Sequence, residues 1–349
     1  MTDVIPTTVS PDKPTSWNDR DELFDITIIG GGPTGLYGAF YAGLRQMKTK
    51  IVDSLPQLGG QLSALYPEKY IYDVGGFPKI LAKDLVRASA DQALQYEPTV
   101  CLNEKVLLLE KQESGEIRLT TETEGQTRTH HTKTVLIAAG VGAFLPRKLD
   151  IPDIERLEGL GIHYFVGDLA QFADKRLVIV GGGDSAFDWA LALGDRAASC
   201  LQIHRSDRFR AHEDTVEKVK ASPVELRTFY ELKAVHGEER LEAVTVFDNR
   251  TGEEEKIFCD HLLLNLGFLT NLGPIKDWGL EIEKNSIRVD TTMMTNIPGV
   301  YAAGDICTFP GKLKLIATGI GEAGTAANFA KTYIDPRAKA FPGHSSDMK

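Results

Sequence analysis

Asp25-Ile26-Thr27-Ile28-Ile29-Gly30-Gly31-Gly32-Pro33-Thr34-Gly35 decides the architecture of this chain. The apolar run reads as a buried parallel strand, and the pattern from Leu36 to Met47 reads as a helix. Strand, glycine loop and helix thus follow one another. Gly30 permits the tight turn, Gly32 lets the backbone approach a pyrophosphate, Gly35 allows close helix-to-strand packing, and Thr34 opens the helix whose N–H groups face the anion. The next strand, Thr49 to Val52, ends at Asp53. A carboxylate there accepts hydrogen bonds from an unphosphorylated ribose, as in FAD or NAD.

The arrangement recurs. Arg176-Leu177-Val178-Ile179-Val180 leads into Gly181-Gly182-Gly183-Asp184-Ser185-Ala186, with Ala186 as the third small residue and a helix from about Ser185 to Leu193. Gly181, Gly183 and Ser185 are the phosphate-side positions, and Asp184, grouped with them, reads as a cap or helix-dipole partner. The following strand, Ser199 to Ile203, ends in His204-Arg205. An acid there would repel a 2′-phosphate, whereas Arg205, with Arg208 and Arg210 just beyond, attracts one. The second site is expected to take NADPH. Two dinucleotides in one chain point to hydride transfer between them.

At 349 residues the chain suits two domains of ordinary size. Its 49 acids against 39 bases leave a net charge of −10, which argues against nucleic acid as a partner. No apolar stretch is long enough for a membrane span, and the N-terminus lacks signal-peptide features, so a cytoplasmic protein with no membrane association is expected. Cys101, Cys200, Cys259 and Cys307 show neither CxxC nor metal-ligand spacing and read as small buried hydrophobes. No metal is expected, and no His, Asp and Ser set is arranged for nucleophilic catalysis.

Residues 1–23, rich in Pro, Thr, Ser and Asp, read as a disordered arm. After the first β-α-β unit come a helix around Ile80 to Tyr96, a strand near Val106 to Leu109, and a small antiparallel sheet using Ile117 to Thr120 and Thr127 to His131. A separate buried strand, Thr134 to Gly140, is expected to follow. The second module has its own antiparallel stretch near Leu241 to Phe247 and Lys256 to Asn265. Val300-Tyr301-Ala302-Ala303-Gly304-Asp305 must return to the first sheet, before a helix from Ile316 to Tyr333. The expected fold is α/β: two Rossmann-like dinucleotide-binding domains of the three-layer ββα type, the second inserted into the first. The boundaries are 24–145 with 271–335 for the first domain, 146–270 for the second, and 336–349 for a tail.

Gly30-Gly31-Gly32-Pro33 with Asp53, Gly59-Gly60-Gln61, the second glycine loop, His204-Arg205 with Phe209-Arg210-Ala211, and Ala303-Gly304-Asp305 together resemble the low-molecular-weight thioredoxin reductases. The CxxC of that family is missing, because the corresponding segment reads His163-Tyr164-Phe165-Val166-Gly167-Asp168. A disulfide relay through it is impossible. Gln61 to Tyr70, His163 to Val166 and the ending Phe341-Pro342-Gly343-His344-Ser345-Ser346 resemble the branch of ferredoxin–NADP reductases built on this architecture.

That resemblance implies FAD and NADP(H), with Asp53 on the adenosine ribose, Gln61 beside the flavin, Asp305 on the ribityl chain, and Val106 and Phe144 along the cleft. It implies Tyr66 on one flavin face, Phe341 or His344 on the other as a movable cover, and Ser346 nearby. At the NADPH phosphate, His204, Arg205 and Arg210 match the family, while Ser206 stands where a second arginine is usual. The implied partner is a ferredoxin or flavodoxin, and the implied assembly is a homodimer. Lys48, Lys50, Lys69, Arg147 and Lys148 are candidates for a basic docking patch. The competing readings are a reductase with another acceptor (quinone, oxygen or a disulfide protein) and a non-catalytic NADPH-responsive sensor.

Overall fold

The computed structural model describes residues 22–340 and Gly343, less the side chains of 143–145 and 268–270. The expectations placed on the N-terminal arm, on Phe341, His344 and Ser346, and on the Phe144 side chain lie outside these. The chain forms two compact units, one from the segments before Phe144 and after Leu269, the other from Phe144–Leu269.

In the first unit five strands run parallel in the spatial order Thr99–Cys101, Thr49–Val52, Leu23–Ile29, Gln126–Ile137, Val300–Ala302. Ile26, Ile28, Val135, Leu136 and Tyr301 are buried, as expected of central parallel strands whose two faces are both covered. Helices Pro33–Leu44, Ala82–Leu94 and Ile316–Ile334 pack together, with the first in contact with both others. Lys105–Lys111 and Ile117–Thr123 form an antiparallel meander with the first half of Gln126–Ile137, and Val106, Leu109, Ile117 and Leu119 join the same buried core.

The separate strands expected at Thr127–His131 and Thr134–Gly140 are one continuous strand, Gln126–Ile137. It starts open at Gln126 to Thr129 beside a single antiparallel neighbour and alternates from His130 to Lys133. From Thr134 to Ile137 it is buried throughout, between Leu23–Ile29 and, from Val135, Val300–Ala302. A change of neighbours, rather than a break in the chain, produces the change of pattern.

The second unit is a five-stranded parallel sheet in the order Ile162–His163, His261–Leu264, Arg176–Val180, Ser199–His204, Glu225–Thr228. An antiparallel sheet of Tyr230–His236, Ala243–Asp248 and Glu254–Phe258 shares its core. The stretch expected to run from Lys256 to Asn265 therefore splits. Its first part ends the antiparallel sheet, and its second part enters the parallel one. The two chain crossings, Ala143–Pro146 and Phe268–Asn271, pair as a two-stranded ribbon. Among the described residues no helix is long and apolar enough to cross a membrane, and no group of three metal-ligating side chains occurs.

Candidate functional site

In the first unit Gly30 has φ +108°, and an added Cβ would lie 2.4 Å from the Ala138 carbonyl oxygen. Only glycine fits that corner. Gly35 is similarly closed by the Gly30 carbonyl oxygen, 1.8 Å from an added Cβ. Gly32 is the contrast: its nearest neighbour would be the Gly60 Cα at 3.9 Å. The helix that starts at Pro33 has no side-chain cap, which leaves its first N–H groups without a side-chain acceptor from the cap residue. That is the donor set of a phosphate cradle.

Asp53 ends its strand beside this loop. Its Oδ2 accepts the Gly31 N–H (2.5 Å) and its Oδ1 accepts the Leu55 N–H (2.8 Å). Burial pushes the carboxyl up, against these two hydrogen bonds. The carboxylate is thus oriented and retains lone pairs for ribose hydroxyls. Gly59 N–H donates to the Gly31 carbonyl oxygen (2.8 Å), so the Gly59-Gly60-Gln61 turn lies directly on the glycine loop. Gln61 opens the short helix Gln61–Ala64, and its Nε2 would be 3.0 Å from a Cβ on Gly140.

Tyr66 packs on the cluster of Leu62, Ile71, Val74, Leu85 and Val86, with Lys69 Nζ 5.7 Å from its ring centre. Burial, aided by Asp305 and Asp73, pushes the phenol up to about 12, so it keeps its proton. Asp305 lies in the short turn Gly304–Ile306, and burial pushes its carboxyl up against the opposing charges of Lys314 and Lys312. Gly304 has φ +79°, and an added Cβ would be 2.8 Å from Thr34 Oγ1. Thr34 therefore ties the phosphate loop to the Gly304-Asp305 turn. Val106 is buried in the first core. Asp53, Gln61, Thr34, Tyr66 and Asp305 thus gather at one end of one sheet.

Two residues that hold this end are absent from the sequence reading. Glu322 Oε2 accepts the Gly304 N–H (2.8 Å), and both its oxygens lie 2.5 Å from Lys312 Nζ. Both side chains of this ion pair are 5% exposed. The available signal was helical spacing, because Glu322 shares the buried face of Gly319, Ala323, Ala326 and Ala330.

In the second unit Gly181 is closed by the Asn265 carbonyl oxygen, 2.5 Å from an added Cβ, whereas a Cβ on Gly183 would meet nothing within 4 Å. The helix Asp184–Gly194 also lacks a side-chain cap. The His204 ring covers Gly182, whose added Cβ would lie 2.4 Å from His204 Nε2. Burial first, then Arg205 and Arg210, lowers His204 below its ordinary range, so it is neutral at pH 7. Arg205, Arg208 and Arg210 are exposed, and none has a carboxylate within ion-pair distance among the described residues. Ser185 is exposed at the helix start. Asp184 stands in the first turn of this helix, where a helix-dipole partner belongs, but it is not a cap: its Oδ1 accepts the His212 N–H at 3.0 Å.

The docking patch needs correction. Lys50 is 5% exposed, with its Nζ 2.9 Å from His130 Nδ1 and 4.0 Å from the Phe24 ring centre. His130 and Thr121 in turn bond the buried Glu104, each at 2.5 Å. Burial alone would raise the Glu104 carboxyl, but these bonds hold it below its ordinary value, so the Lys50 ammonium belongs to an internal polar network. Lys48 pairs with Glu22, and Lys148 with Glu158 and Glu155. Arg147 remains exposed.

The segment where a disulfide would sit holds His163, whose Nε2 is 2.9 Å from His261 Nδ1, followed by buried Tyr164, Val166 and Phe172. All four cysteines are free and buried.

Residues 24–327 match the model of the pyridine nucleotide-disulphide oxidoreductases. The chain is 55% identical over 331 residues to the ferredoxin–NADP reductase 2 of Shouchella clausii, covering 95% of this chain and 99% of that protein. The ferredoxin–NADP reductase of Geobacillus kaustophilus is also 55% identical over 331 residues, covering 95% and 98%. Among solved structures, the thioredoxin reductase of T. acidophilum superposes with a TM-score of 0.76 at 26% identity, covering 90% of this chain and 99% of that one. Two glycine cradles on two Rossmann-like sheets, matched along nearly the whole chain, place this protein in the pyridine nucleotide-disulphide oxidoreductase family.

Proposed function

We propose that this chain is an FAD-dependent ferredoxin–NADP(+) oxidoreductase. The observation that carries the reading is the opposite charge at the ribose end of two otherwise equivalent cradles. Asp53 beside the first suits the unphosphorylated ribose of FAD, and the uncompensated Arg205, Arg208 and Arg210 beside the second suit the 2′-phosphate of NADP(H). The unit formed by the segments before Phe144 and after Leu269 is then the FAD domain, and Phe144–Leu269 the NADPH domain, close to the expected boundaries of 24–145 with 271–335 and 146–270. The names of the relatives from S. clausii and G. kaustophilus support the same acceptor.

When bound, FAD supplies the link between a two-electron nicotinamide and a one-electron carrier. The chain supplies position. Gly31 and Leu55 N–H groups orient Asp53, Thr34 and Glu322 hold the turn that aims Asp305, and Tyr66 offers a protonated aromatic face. The resemblance to the reductases of this branch would further set Gln61, Val106 and Phe144 along the flavin cleft, with Ser346 nearby. By the same resemblance, Phe341 or His344 would serve as a movable cover on the flavin face opposite Tyr66. The buried thiols argue against a disulfide relay within the chain, which favours electron exit to an external acceptor. The assembly is a homodimer, and its partner is a ferredoxin or flavodoxin.

The test is NADPH-driven cytochrome c reduction with and without added ferredoxin, beside a thioredoxin-coupled disulfide assay. A strong ferredoxin requirement with no disulfide activity is expected; fast flavin reduction with no ferredoxin effect would assign another acceptor. Raising salt should slow the ferredoxin step and spare reduction by NADPH.

A further inference from the structure

The three arginines of the second site sit on a loop, residues 205–212, that lies outside regular structure except for its backbone ties. At its start the Arg205 carbonyl oxygen accepts from Asn249 Nδ2 (2.9 Å), and the same nitrogen donates to Glu231 Oε1 (2.9 Å). Inside the loop Ser206 Oγ lies 3.2 Å from the Arg208 carbonyl oxygen and 3.4 Å from its N–H, which closes the turn. Further on, the Arg210 N–H donates to the Gly182 carbonyl oxygen (2.8 Å), and Phe209 packs edge-on to Phe187 with ring centres 4.9 Å apart. At its end the His212 N–H donates to Asp184 Oδ1.

The helix dipole accounts for an acid at Asp184 but not for its side-chain contact. The residue stands on the first turn of a helix whose N–H groups receive phosphate, where a second negative charge opposes the ligand. A role as cap is ruled out by its contact, because its oxygen accepts from His212 and not from the helix.

Resting on the reading that this site takes NADP(H), we infer that Asp184 and Asn249 are specificity-positioning residues, which clamp the two ends of the arginine loop in register with the glycine cradle. Neither touches the nucleotide. Their bonds fix where the 2′-phosphate charges stand relative to the pyrophosphate, and they matter only to a nucleotide that carries a 2′-phosphate. Serine at 206 fits the same scheme, since it exchanges a charge for a turn that stiffens the loop between its clamps.

The experiment compares KM and kcat of the holoenzyme for NADPH and for NADH, with ferricyanide as acceptor, in Asp184→Ala, Asp184→Asn and Asn249→Ala. Loss of the Asp184 charge acts on both nucleotides alike, so the readout is the ratio of NADPH KM to NADH KM, which should rise about three- to ten-fold in Asp184→Ala and in Asn249→Ala, the worth of one backbone-directed hydrogen bond, with kcat within two-fold of the parent. Asp184→Asn keeps an acceptor for His212 and should retain most of the NADPH affinity. Parallel rises for both nucleotides would return Asp184 to a general helix role, and no change for either would remove the clamp; both outcomes overturn the inference. A parent protein that prefers NADH would instead overturn the nucleotide assignment, before any variant is made.

Discussion

Glu322 and Lys312 form a buried ion pair whose carboxylate also accepts the Gly304 N–H. Removing one partner leaves the other charge buried and uncompensated, so Glu322→Ala should cost about 3–5 kcal/mol in urea denaturation, far more than a surface pair. Pairing Glu322→Leu with Lys312→Met should recover much of that loss, because the uncompensated charge is gone. FAD affinity should stay weakened in both, since the Gly304 turn has lost its acceptor. His163 carries a separate prediction. Burial first, then His261, lowers its pKa to about 4 from an ordinary 6.5. The unfolded chain therefore binds a proton that the folded one refuses between these values, and stability present above about pH 6.5 is lost as pH falls toward 4. Melting temperature against pH should show this slope, and His163→Gln should flatten it.

At the scale of elements, the strand Gln126–Ile137 joins the antiparallel and the parallel parts of one seven-stranded sheet. Its amides from Val135 to Ile137 lie between two parallel neighbours and should be among the slowest to exchange with deuterium, while those near Gln126 to Thr129 should exchange sooner. Uniform protection along the strand would contradict this. Glycine loops, their flanking strands and helices, and the return of Val300–Ala302 were legible because each is written in adjacent residues with a fixed period. The fusion of two strands into one was not, since a strand's pattern reports its neighbours and those lie far along the chain. Lys50 failed for the same reason. Its partner His130 and the carboxylate of Glu104 come from distant segments, and only their convergence makes an ammonium tolerable inside a sheet. Glu322 could have been found by counting the face of its helix, but its partner Lys312 lies outside that helix.

For the whole molecule, both crossings into the second unit leave through one ribbon, where the Arg147 N–H meets the Gly267 carbonyl oxygen at 3.0 Å. Replacing 148–266 with a short Gly-Ser turn should leave a first unit that folds and takes up FAD, as judged by a resolved flavin spectrum, and that no longer binds NADPH. An aggregated product would show that the first unit depends on the insertion to fold. The order of insertion was legible because the strand that completes the first sheet is recognisable after the second module. The line between the acceptor-facing surface and the rest was not, because surface lysines take their meaning from the acids beside them. The four thiols give the molecule a last property. Burial pushes Cys101 up to about 11 and Cys200, Cys259 and Cys307 up to about 12. At neutral pH no more than about one thiol in ten thousand is then ionised. A frame that handles electrons for others thus keeps its own sulfhydryls out of the traffic: peroxide or alkylating agents that inactivate thiol enzymes meet no accessible thiolate here while the fold is intact.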